Sequence, residues 1–210
     1  MKQQRLEQLA DGIFSIVMTL LVLDIRLPIG EATTDMGLGI LFHQLAPSFA
    51  SFFLSFSVLF TYWRAHHSIA SVYVKNIDNK FTMINSVFLL LVALVPFSSH
   101  LLAHYHSLQS AVTIFSLHTI LIGLVIFWMR FYAAKSDAIE NEAVGVIESR
   151  HSYARILFPV FCAILAIFIS FFDLQFALIF LTLGILFNFS KQSTRLIFRI
   201  LNPFLTVKEI

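Results

Sequence analysis

The chain has 210 residues, of which 58% are hydrophobic and 12% charged, with 24 phenylalanines and a formal net charge of +2 at pH 7. Soluble domains average about half apolar and about a quarter charged, so this composition excludes a water-soluble globule. It holds no HExxH, GxSxG or phosphate-binding loop and almost no paired carboxylates in its apolar interior, which removes the usual footholds for enzyme chemistry.

The apolar residues gather in runs close to the ~20 residues that cross a ~30 Å hydrocarbon layer as helix. Six are predicted, at 9–27, 45–66, 80–103, 108–132, 153–172 and 174–190. Helices close their own backbone hydrogen bonds in lipid, and the ~10-residue alternating segments of a membrane barrel are absent. The fold class expected is an all-α integral membrane protein of six transmembrane helices, forming one domain over 1–210.

The first run is unusual. Only residues 12–23 lie between Asp11 and Asp24, about 18 Å of helix, too little to cross the bilayer without bringing an acid near the hydrocarbon edge. Carboxylates at that depth face protein or water, so this span is expected to be buried in an assembly or to line an aqueous path. Gly12, Ile16, Thr19, Leu20, Leu23 and Leu27 fall at helical spacing on one face, apolar apart from the Thr19 hydroxyl. By periodicity alone, this face reads most simply as a helix-packing stripe.

The segment after Pro28 contains a short predicted outer helix from Met36 to Leu45. The second run ends in Tyr62, Trp63, His66 and His67. The third ends with His100, His104 and His106, of which His100 and His104 share a face at i, i+4. Interfacial histidines are the default there, no metal site is expected, and protonation at low pH would act near the outer mouth. Runs three and four, and five and six, are joined so tightly, at 104–107 and around Asp173, that each pair must be an antiparallel hairpin. His118 is the one ionisable side chain in the middle of a span, and Cys162 has no partner for a disulfide within the chain. The tail, 191–210, mixes Lys191, Arg195 and Arg199 with Leu196, Ile197 and Phe198, and is expected as an amphipathic helix on the anionic cytoplasmic leaflet.

Six spans place all 14 lysines and arginines except Arg26 on one side, so both termini are expected in the cytoplasm. The outer side then carries Asp24, Glu31, Asp35 and Asp173 against Arg26 alone, an acidic rim that attracts cations or is merely what positive-inside sorting leaves behind.

The stretch Arg5 to Pro28, RLEQLADGIFSIVMTLLVLDIRLP, resembles the first span of the prokaryotic transmembrane protein 175 family, relatives of the endosomal and lysosomal potassium channel. The family's mark is Arg, three residues, then Phe-Ser-Asp; Arg5 and Asp11 match it, with Leu9 and Ala10 in the Phe and Ser positions. YWRAHH, with Tyr62, Trp63, His66 and His67, and the block from Asn85 to Phe97 containing LVALVPF, agree in order and spacing. The resemblance implies a homotetramer in the plasma membrane of a prokaryote, with four first helices around a central pore that passes potassium ions. It further implies a hydrophobic constriction of Ile16, Leu20 and Leu23, with Thr19 as a hydroxyl layer and Asp24 at the outer mouth. Arg5, Asp11, Trp63, His66 and His67 would form a polar network pinning the first span to the second and third. A TVGYG-like carbonyl filter is absent from the sequence, so selectivity must arise otherwise. The alternatives are a proton-permeable channel of the same fold, a small proton-coupled transporter, or a non-conducting scaffold. The implied partners are potassium ions, the lipid bilayer and further copies of the chain, with no nucleic acid and no cofactor.

Overall fold

Backbone groups in lipid have no water to bond, and the apolar runs answer this by forming helices throughout. The computed structural model describes residues 3–27, 34–74, 77–136 and 146–187. In chain order the elements are α1 Gln3–Leu20, which tightens into a 3-10 turn at Leu21–Asp24; α2 Asp35–Gln44; and α3 Ala46–Ser68, which widens into a π turn at Ile69–Tyr73. There follow α4 Asn79–Ala93, α5 Val95–His104, α6 Gln109–Lys135, α7 Val146–Ser170 and α8 Leu174–Phe187.

Among the described residues, five stretches are long and apolar enough to cross a membrane: Gln3–Asp24, Ala46–Ser71, Asn79–His104, Gln109–Lys135 and Tyr153–Ser170. The sixth expected span is a shorter apolar helix, Leu174–Leu186. Residues 188–190 and the expected amphipathic tail at 191–210 lie outside the described residues.

The helix ends have local causes. Thr34 caps α2 by accepting from the Gly37 N–H at 3.1 Å, Asp78 caps α4 from the Phe81 N–H at 2.8 Å, and Asp173 caps α8 from the Phe176 N–H at 2.8 Å. Asn79–His104 breaks at Leu94 because Pro96, in the first turn of α5, supplies no N–H to continue the ladder. Helix α1 begins at Gln3, well before residue 9, and Leu6 already belongs to its buried stripe.

Helix α6 packs on α4, α5 and α7, while α7 and α8 form a hairpin, and α3 lies on α5. The approach of α6 to α3 and α7 is close at Gly123, where a Cβ would stand 2.2 Å from Val160 Cγ2 and 2.7 Å from the Tyr62 hydroxyl. Only a small residue permits that approach, as is usual where helices pack in membranes. The Tyr62 hydroxyl donates to the Thr119 carbonyl at 2.9 Å, so the buried phenol is satisfied at the same crossing. Against this frame α1 lies on one side, touching α3, α4 and α5.

Candidate functional site

Helix α1 has two faces. Leu6, Ala10, Phe14, Val17 and Leu21 recur at helical spacing and are buried, none more than 4% exposed. They form part of the core, where the Phe14 ring lies 5.9 Å from Phe88 and 6.5 Å from His66. On the opposite face, Gly12, Ile16, Thr19, Leu20, Leu23 and Leu27 are all exposed. Ile16 is 60%, Leu20 43% and Leu23 58% exposed. The chain buries 28% of the most apolar window of this span, against 44% for each of the other four. Helix α1 is thus the least covered of these five long spans. The Thr19 hydroxyl donates back into the helix, with the Ile16 carbonyl at 2.8 Å and that of Ser15 at 3.1 Å. Its proton is committed there, and the oxygen lone pairs remain on the open face.

The two carboxylates bounding this stripe are both held by neighbouring helices. At one end the Trp63 indole N–H donates to Asp11 Oδ1 at 2.8 Å. One turn earlier, Glu7 Oε1 lies 3.0 Å from His67 Nδ1, and the His67 ring stacks on Trp63 with centroids 5.7 Å apart. His66 turns the other way: it is 1% exposed, with Nε2 2.7 Å from Asn85 Oδ1 and its ring stacked on Phe88 at 5.3 Å. Of the five residues expected in this network, Asp11 and Trp63 meet directly, His67 reaches Glu7, and His66 pairs with Asn85. Arg5 is exposed and takes no part in these bonds. Glu7 and Asn85 are members that sequence reasoning left out. The signal for Glu7 was present, since it lies four residues before Asp11 and shares its face.

At the other end, Asp24 Oδ1 lies 2.9 Å from His100 Nδ1 on α5. The His104 ring sits 4.1 Å from that of His100, and its Nδ1 donates to the His100 carbonyl at 3.0 Å. Asp24 Oδ2 is buried without a partner among the described residues. Beside it is a cavity of about 220 Å³ lined by Asp24, Arg26, Leu45, Ser48, His100 and His104. His106 turns to the Ala103 carbonyl at 3.2 Å, and among the described residues no three His, Cys, Asp or Glu side chains converge to hold a metal ion.

Midway along the bundle, His118 braces the break between α4 and α5. Its Nε2 lies 3.0 Å from the Leu91 carbonyl and its Nδ1 2.8 Å from the Ser98 hydroxyl. The ring therefore bonds both sides of the interruption that Pro96 makes.

Residues 5–96 match the model of the family described as the endosomal/lysosomal potassium channel TMEM175. A potassium channel of Chamaesiphon minutus is 40% identical over 101 residues, which cover 48% of this chain and 49% of that protein. A potassium channel of Streptomyces collinus is 38% identical over 104 residues, 48% of either chain. These alignments span about half the length of the two relatives. In three dimensions the chain is similar to the crystal structure of a lysosomal potassium-selective channel TMEM175 homologue from Chamaesiphon minutus. The TM-score is 0.77 at 26% identity, covering 91% of this chain and 97% of that one.

Proposed function

Because the chain is related to the TMEM175 family, in sequence over residues 5–96 and in fold over most of its length, we propose that it is a subunit of a potassium-permeable cation channel whose pathway is lined by α1. The observation that carries this reading is the open face of α1. A span bounded by two acids, and the least covered of the five long ones, presents Ile16, Thr19, Leu20 and Leu23 in line. In a homotetramer these side chains form stacked rings around the axis. Six spans, Lys and Arg gathered on one side, and the prokaryotic relatives support a plasma-membrane protein with both termini in the cytoplasm. Asp24 then stands at the outer mouth, and the Asp11–Trp63 bond at the cytoplasmic end.

The mechanism follows from this geometry. A ring of four Ile or Leu side chains has no group to replace an ion's hydration shell, so a narrow ring excludes water and blocks permeation. A modest widening readmits water and lets ions through. At an apolar constriction the ion that sheds its water more readily crosses more readily, which favours K⁺ over Na⁺, and the Thr19 oxygens offer a partial substitute for lost water beside the narrowest ring. Trp63, His66 and His67 are structural or gating in this reading, because they lie on α3, off the stripe.

The test is K⁺ flux through purified protein in liposomes, with Ile16→Ala and Leu20→Ala beside the parent chain. Flux in the parent, with higher conductance or lower K⁺/Na⁺ selectivity in either variant, supports both the channel and its lining. Unchanged permeation in both variants removes these residues from the pathway. Absence of flux from folded tetramer favours a transporter or scaffold.

A further inference from the structure

Away from α1, a cavity of about 300 Å³ opens between α4 and α6, lined by Lys80, Met83, Ile84, Val87, Trp128 and Tyr132. Its walls follow from helical register: the α4 residues recur at i, i+3, i+4 and i+7, and Trp128 and Tyr132 at i and i+4. Met83 is 72%, Trp128 55% and Val87 42% exposed, so the cleft is apolar and opens outward. The apolar track continues beyond it through Leu90 on α4 and Leu124 on α6, both exposed. From Lys80 to Leu90 is about 15 Å of helix, the depth of one hydrocarbon leaflet. Charge gathers at one end of the cleft. Lys80 is exposed and makes no hydrogen bond or ion pair among the described residues. Lys135 lies on the face of α6 that carries Trp128 and Tyr132, its ammonium 4.7 Å from the centroid of the Phe131 ring. The Asp78 carboxylate accepts from the Phe81 N–H at 2.8 Å and from the Tyr132 hydroxyl, which ties the two walls together. Arg130 is buried, with its guanidinium over the Tyr153 ring of α7. Two lysines against one aspartate leave one net positive charge at the rim.

We propose that this cleft seats an anionic phospholipid of the leaflet at that end, with one acyl chain along Met83, Val87 and Trp128 and the phosphate between Lys80 and Lys135. The orientation given above makes this the cytoplasmic leaflet; binding itself depends neither on that orientation nor on conduction. Water gains nothing in the cleft, because its apolar walls offer no partners for hydrogen bonds. A second copy of the chain packed here would strip water from Lys80 and Lys135, whereas a headgroup leaves them hydrated and supplies the opposite charge. Trp128 and Tyr132 stand at the depth where amphipathic rings meet headgroups. A zwitterionic lipid fills the cleft equally well but brings no net charge, so discrimination lies in the lysines. One net positive charge near the surface favours the anionic headgroup by about fivefold.

The chain has two tryptophans, Trp63 and Trp128, so Trp63→Phe leaves Trp128 as the single fluorescent reporter. The experiment places that full-length variant in phosphatidylcholine vesicles. Phosphatidylglycerol carrying bromine on one acyl chain is then titrated in, and in a parallel series brominated phosphatidylcholine. Trp128 quenching should be half complete at about fivefold lower mole fraction of the phosphatidylglycerol. In Lys80→Gln and in Lys135→Gln, each added to Trp63→Phe, the two curves should move together. Val87→Phe fills the cleft with both lysines in place and should also weaken the preference, which separates a seated lipid from attraction to a charged surface. Coincident curves with all the lysines present overturn the proposal, as does a preference unchanged in any of the three variants. Trp128 quenched by neither lipid means that protein covers the cleft, which also overturns it. Fluorescence needs no conduction, so failure of the flux assay and failure of this proposal are separate results.

Discussion

Trp63 and Asp11 show how an acid is made tolerable at the edge of an apolar span. The indole N–H reaches Oδ1 at 2.8 Å, so the carboxylate enters the bundle with a partner. Trp63→Phe keeps the ring and removes the donor. It should cost about 1 kcal/mol, at the low end for an unpaired acceptor because the site is partly open to water. Thermal denaturation of Trp63→Phe, Asp11→Asn and the double variant should show losses that do not add. Additive losses would mean that the bond contributes nothing. Asp78 gives a second case. Burial pushes its carboxyl up, but the Tyr132 hydroxyl, the Phe81 N–H and the nearby Lys80 charge outweigh this and hold it below the usual carboxylate range. A carboxyl lowered on folding stabilises the fold above its unfolded value, and that stability is lost as pH falls through the folded one. The tie between α4 and α6 should therefore weaken only in acid. Asp78→Ala should remove the helix cap, about 1 kcal/mol, together with that acid sensitivity, as read from thermal midpoints at neutral and acidic pH. At this scale the sequence identified carriers of chemistry better than their partners. His66 and His67 are adjacent, but successive residues on a helix point about 100° apart. One is buried against Asn85 and the other meets Glu7 at the surface, a division that YWRAHH does not spell out.

At the scale of elements, long apolar runs were legible because length and hydropathy are local properties. Breaks and contacts were not. Pro96 marks the interruption at Leu94, yet the His118 brace across it depends on α6 returning alongside α4 and α5. The early start of α1 was hidden because Leu6 sits among polar residues that pull the average down. Gly123 is similar: its smallness matters only because Val160 and Tyr62 press against it. Gly123→Ala places a methyl into those atoms and should destabilise by about 1–3 kcal/mol, partly offset by up to about 1 kcal/mol of helix propensity. Adding Val160→Ala should recover much of the loss in thermal midpoint, whereas no recovery would mean that Tyr62 is the harder wall.

For the whole molecule, the uneven cover of α1 is the strongest pointer to an assembly. A chain that buries 44% of each of its other four long spans and 28% of this one leaves a face for something outside itself. Native mass spectrometry of the purified protein should give four subunits; a monomer or dimer would defeat the proposed ring. Periodicity in the sequence had already gathered Ile16, Thr19, Leu20 and Leu23 on one side, because a helix fixes which residues share a face. It could not say which face the rest of the bundle would leave open, since that depends on how α3, α4 and α5 close around Phe14 and Leu21.

The stretch from Asp11 to Asp24 is fastened at both ends, through Asp11 to Trp63 and through Asp24 to His100. A rod pinned at two points can bow or twist between its pins, but it cannot slide along its length. Travel is then greatest near the middle, where Ile16, Thr19 and Leu20 lie, and the 3-10 turn at Leu21–Asp24 offers a softer joint than continuous α-helix. In the proposed channel, dilation of the pore would be a flexing of its waist with the rims held still.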